Sequence, residues 1–163
     1  MSFARAVAFV LDPRNDGQPY HVTPGDPGGA TAYGWALKEN PDLTDADLRA
    51  MTPTIAAERY YARFWPAIKG DQLPENLHLP MLDTAVVEGP RTAIKCLQRA
   101  LGLVDDGVIG PVTLRTAHAL AGNGLLEKFG AERIVEMSNC QNWPHDRRGW
   151  SRRVIASCVE NLS

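Results

Sequence analysis

Apolar residues along the chain recur mainly at three- and four-residue intervals and are interrupted by proline and glycine, a pattern that predicts a mainly helical protein. Phe3, Val7, Val10 and Leu11 give the first amphipathic segment, Ser2 to Leu11, stopped by Pro13. Thr44 followed by Asp47 and Leu48 resembles a capping box opening a short helix. Thr52-Pro53 has the form of an N-cap followed by an N1 proline, starting a helix that carries Ile55, Tyr60, Tyr61, Phe64 and Trp65 and ends at Pro66. Past a connection at Gly70 to Pro74, "LHLPMLDTAVV" and "GPRTAIKCLQRALG" read as successive helices. In the second, Ile94, Leu97 and Leu101 form one stripe and Gly102 suits the C-cap. "DDGVIGP" is a turn, Pro111 opens a helix through Ala121, and "LLEKFGAERIVEMSNC" and "RRGWSRRVIASCVEN" add two more. No region sustains period-two alternation of β-branched residues, so the expected class is mainly α, with at most a small hairpin near residues 20 to 35.

Composition narrows the function classes. Among 163 residues, hydrophobic types make up 44% and charged types 22%, the balance of a soluble globular chain, and the length suits one domain over 1–163. A net charge of -2 supplies no general basic field, which argues against a nucleic-acid partner. Arg147, Arg148, Arg152 and Arg153 form a local basic cluster all the same. No apolar run reaches the ~20 residues of a membrane span, so no stable membrane association is expected. Cys96, Cys140 and Cys158 are odd in number and widely spaced, and with His78, His118 and His145 they show no zinc spacing; neither metal nor cofactor is expected. "GDPGGAT" lacks the Gly-Lys-Ser/Thr ending of a phosphate loop.

The chemistry concentrates between Arg14 and Trp35, where five glycines and three prolines surround Asp16, Asp26 and Thr31. Hydrolysis of a glycosidic bond needs an acid for the leaving oxygen and usually a second carboxylate across the sugar, and Thr31 could position a water. On spacing alone the competing reading stands ahead: Asp26-Pro27-Gly28-Gly29 also describes an ordinary tight turn. Tyr20, Tyr33 and Trp35 are candidates to stack on sugar faces and His21 to hydrogen-bond substrate, while Tyr60, Tyr61, Phe64 and Trp65 have the helical spacing of core residues. Glu88, beside Gly89-Pro90, is a reserve acid and substrate contact; Glu39, Glu58 and Asp83 read as solvated or capping.

"GDPGGATAYGW" resembles the Asp-Pro-Gly-Gly-x-Thr-x-x-Gly block of the family 108 glycoside hydrolases, phage and prophage N-acetylmuramidases. "ERYYARFW", "LDTAVVEGPRTAIKCLQRALG", "DDGVIGPVT" and "RRGWSRRV" extend the likeness, in order, over nearly the whole chain. The resemblance implies a lysozyme-like helical fold, with an N-terminal catalytic lobe over 1–70 and a helical lobe over 71–163 containing a peptidoglycan-binding-like element. It further implies a monomeric endolysin that cleaves the β-1,4 bond between N-acetylmuramic acid and N-acetylglucosamine in bacterial peptidoglycan. Such a protein waits in the host cytoplasm until a holin opens the membrane.

The resemblance breaks at one place. The family's hallmark is Glu-Gly-Gly-Tyr; this chain reads Asp16-Gly17-Gln18-Pro19-Tyr20, one residue longer and with aspartate in the acid's place. Aligning on the first helix would put Arg14 there instead, and Asp16 is preferred because only it can ionise as the role requires. The expected assignment is Asp16 as general acid, Asp26 as second carboxylate and Thr31 as the water-positioning hydroxyl. A non-catalytic peptidoglycan-binding or structural phage protein on a degenerate scaffold is the alternative, and an enzyme whose acid is Glu88 is a third reading.

Overall fold

The computed structural model describes residues 2–23 and 28–160. Its elements are α1 (Phe3–Val10), a three-stranded antiparallel sheet of β1 (His21–Val22), β2 (Ala30–Ala32) and β3 (Trp35–Ala36), then α2 (Asp45–Ala50), α3 (Pro53–Phe64), α4 (His78–Glu88), α5 (Pro90–Ala100), α6 (Pro111–Ala119), α7 (Asn123–Ser138) and α8 (Trp143–Val159). The class is mainly α with one small sheet, as the apolar spacing predicts.

Local chemistry sets the boundaries. Thr44 and Asp47 form a reciprocal capping box on α2: the Asp47 N–H donates to Thr44 Oγ1 at 3.2 Å and the Thr44 N–H to Asp47 Oδ2 at 2.8 Å. Thr52 Oγ1 accepts from the Ile55 N–H at the start of α3, with Pro53 at N1. The "DDGVIGP" turn is pinned from α5, where Gln98 Nε2 donates to Asp106 Oδ1 at 2.7 Å and Gln98 Oε1 accepts from the Gly107 N–H at 2.9 Å. α8 begins four residues before "RRGW", because Trp143-Pro144 supplies a first turn that needs no amide donor from the proline.

α4 is the hub. Every residue from His78 to Ala85 is buried, the all-round enclosure of a helix with neighbours on all sides. α1, α5 and α8 pack on it, and α7 packs between α5 and α8. A continuous core runs from Val7 and Val10 through Tyr60, Trp65 and Leu82 to Leu97 and Phe129. α1 is therefore seated on the helical body while the loop after it leads out to the sheet. No helix among the described residues is long and apolar enough to cross a membrane.

Candidate active site

The segment from Arg14 onward is built outward from the end of α1. The loop folds back and uses the carbonyls of the helix end: the Asp16 N–H donates to Val10 O at 3.0 Å, the Gly17 N–H to Asp12 O at 3.0 Å, and the Asn15 side chain to Phe9 O at 2.8 Å. A Cβ at Gly17 would overlap the Leu11 carbonyl, so this close return requires glycine.

The β2–β3 turn closes on the loop from the other side. Its two central residues, Tyr33 and Gly34, have φ of 48° and 80°, the left-handed pair of a tight hairpin. A tyrosine there costs about 1–3 kcal/mol. Two bonds hold it: the Tyr33 N–H donates to Gln18 O at 2.7 Å, and the Tyr60 hydroxyl donates to Tyr33 O at 2.9 Å. Burial, reinforced by the nearby Asp16 charge, pushes ionisation of Tyr60 well above the ordinary phenol range, so its hydroxyl remains a donor. A Cβ on Gly34 would collide with that hydroxyl and come within 2.8 Å of the Asp16 Cβ. Asp16 thus lies between the helix end and the turn.

Its carboxyl heads a chain of alternating charges. Asp16 Oδ2 accepts from Arg153 Nη2 at 2.7 Å; Arg153 Nε donates to Asp83 Oδ1 at 2.8 Å; Asp83 Oδ2 accepts from Arg133 Nη1 at 2.6 Å; Arg133 Nε donates to Glu88 Oε1 at 2.7 Å. Exposure falls to zero at its middle and rises slightly at its far end: the Asp16 side chain is 26% exposed, Arg153 15%, Asp83 and Arg133 0%, and Glu88 9%. Burial raises the Asp83 ionisation, but Arg133 and Arg153 together outweigh it and leave that carboxyl below the ordinary range. For Glu88 burial outweighs Arg133, and its carboxyl lies above the ordinary range. Glu88 Oε2 and Arg133 Nη2 are buried without a hydrogen-bond partner among the described residues.

The other residues singled out from the sequence divide into four groups. Thr31 occupies the centre of the sheet, paired with His21 on one side and Ala36 on the other, two residues from the turn that covers Asp16. Asp26 lies outside the described residues. Tyr20 and His21 flank the site: the Tyr20 hydroxyl donates to Asp45 Oδ1 at 2.8 Å beneath the Arg49 guanidinium, 4.1 Å from the ring centre, and His21 is exposed with its ring nitrogen 2.8 Å from Pro19 O. Trp35 and Glu88 face inward. Trp35 is 3% exposed against Tyr60, its ring flanked by Arg59 and Arg63, and no sugar face reaches it there.

Asp83 corrects an expectation: it is neither solvated nor a cap but fully buried between two guanidiniums. Its signal is an acid inside the apolar run "LHLPMLDTAVV"; its partners lie 50 and 70 residues away and carry no local spacing to mark them. Among the described residues no group of three or more histidines, cysteines or acids could hold a metal ion.

A partly exposed carboxyl, fixed through its own backbone and set beside a strand bearing a hydroxyl, has the chemistry to serve one face of a glycosidic site. The model of the family described as Glycosyl hydrolase 108 matches residues 14–89, from the loop through α4. The solved structure of Brucella abortus SagA is similar at 30% identity with a TM-score of 0.84, covering 98% of this chain and 93% of that one. Comparison with curated proteins gives no match. With the fold matched nearly throughout and the Asp16 loop inside the matched segment, the chain belongs to the glycosyl hydrolase 108 family.

Proposed function

We propose that this glycoside hydrolase cleaves the glycan strand of bacterial peptidoglycan as a muramidase, with Asp16 as general acid, Asp26 as second carboxylate and Thr31 positioning the attacking water. The observation that carries the reading is the placement of Asp16: backbone-bonded to the end of α1, pressed against the β2–β3 turn, and open to solvent over about a quarter of its side chain. Family membership supplies the reaction class. As general acid Asp16 has to deliver a proton to the leaving oxygen. An endolysin role, with release to the wall after a holin opens the membrane, belongs to the same proposal.

Asp16→Asn tests it. The variant keeps the fold and the Arg153 contact through its amide oxygen, and is expected to release no reducing ends from purified peptidoglycan; undiminished release would overturn the assignment. Mass analysis of the new reducing end separates cleavage after N-acetylmuramic acid from cleavage after N-acetylglucosamine. Lysis from within an expressing cell only when a holin is co-expressed tests the endolysin role.

A second reading is favoured by the 2.7 Å ion pair between Asp16 and Arg153, which suits a structural latch on a scaffold that binds the wall without turnover. It is selected if the native protein releases no reducing ends at any pH from 4 to 8.

A further inference from the structure

A cavity of about 310 Å³ opens between the end of α1 and α8, lined in part by Arg14, Asn15, Gly149, Arg152, Arg153 and Glu160. This volume lies at the lower end of the range for ligand clefts, about 300–1,000 Å³. It adjoins the candidate active site twice over: Asn15 precedes Asp16 in the chain, and Arg153 bonds to Asp16. Three of the named residues are arginines against one acid, Glu160, in a chain of net charge -2.

The three are not equivalent. Arg14 is neutralised by Asp12, which takes its Nε and Nη2 at 2.9 Å each. Arg153 divides its charge between Asp16 and Asp83. Arg152 is exposed and makes no hydrogen bond or ion pair with any described residue, and Arg148, one turn earlier on the same face of α8, is likewise exposed and unpaired among them. The cavity therefore presents a free, forked guanidinium to whatever enters, beside two that the protein has satisfied. Gly149, which has nothing near its Cβ position, keeps the α8 wall low between them.

We propose that this cavity is a subsite for a carboxylate borne by the substrate beside the reacting bond, with Arg152 as its bidentate donor. The inference rests on the peptidoglycan reading, and in that substrate the group is a carboxylate of the peptide stem attached to the muramyl lactyl ether. A glycan lacking acidic substituents leaves Arg152 unpaired.

Binding, not turnover, tests it. The stem-bearing N-acetylglucosaminyl-N-acetylmuramyl disaccharide, with its stem carboxylates free or converted to neutral amides, is titrated calorimetrically into the native protein and into Arg152→Gln. The native protein is expected to bind the free-carboxylate form about tenfold more tightly, the scale of one charge-assisted contact. Arg152→Gln should lose that preference, Arg152→Lys should keep part of it, and raised salt should shrink it. Equal affinity for the two forms, or a preference that survives Arg152→Gln in a variant with unchanged Tm, overturns the subsite. Selective binding without release of reducing ends would sink the hydrolase reading and leave the subsite standing.

Discussion

Arg133 and Arg99 are built from the same parts and do different work. Arg99 touches three carboxylates: Glu132 at 3.0 Å, Asp105 at 3.0 Å and Glu136 at 2.9 Å. Arg133 touches two, Asp83 and Glu88. Arg99 is 28% exposed and its partners 34–42%, so water competes for every one of its bonds and salt screens them. Arg133 is sealed. Its charge is taken out of water at a cost that only its partners offset, and removing Arg133 itself leaves Glu88 in the interior with no cation beside it. The number of bonds favours Arg99; burial makes Arg133 the more consequential residue.

The sharpest way to break this comparison is Arg133→Met, which leaves Asp83 with one guanidinium and Glu88 with none. A loss of about 3–5 kcal/mol in urea unfolding is expected. A loss below about 1 kcal/mol would show that burial does not set the ranking. Pairing it with Asp83→Leu should recover part of the loss, since two absent charges cost less than one unpaired one.

Arg153→Gln comes next, at about 1.5–3 kcal/mol, because Asp83 keeps Arg133 when Arg153 is removed. Arg99→Gln should cost about 1 kcal/mol or less and less still in high salt; a loss equal to that of Arg133→Met would erase the distinction.

The smallest effect lies in pH. Asp83 sits below its ordinary range when folded, so its contribution is complete above the unfolded value of about 3.9 and is lost as pH falls through the folded value. Glu88 sits above its range, so the native state binds its proton longer than the unfolded chain does. Its contribution falls as pH rises from about 4.3 through the folded value. Glu88→Gln removes only this second slope. The stability difference, native minus variant, should decline with rising pH over that window and then level; a flat difference contradicts the sign.

Short-range rules make much of the fold legible in the spelling of the chain. Thr44 with Asp47 and Thr52 with Pro53 announce their helices because a cap is a contact between residues no more than three apart. Glycine is equally plain: Gly34 marks the hairpin turn, although its partner in the left-handed region is a tyrosine, which sequence preference disfavours and only the bonds from Gln18 and Tyr60 explain. Trp35 reads as a sugar platform because aromatic type alone does not say which face of a short strand is inward. The charge chain is hidden because its links span 45, 50, 70 and 137 residues, and hydropathy counts an arginine as exterior wherever it stands. The place of a broken motif marks Asp16; only the fold reveals its partner Arg153.

That last link, joining residue 16 to residue 153, also orders events in time. A chain emerging from the ribosome makes α1, the loop and the sheet long before α8 exists, and it must hold Asp83 and Asp16 without Arg153 until α8 has been synthesised. α8 is the element that completes the site. A chain cut before Trp143 would have every residue matched by the family model and still lack the clasp on its carboxylate. Until translation has passed residue 153, the bond between Asp16 and Arg153 cannot form.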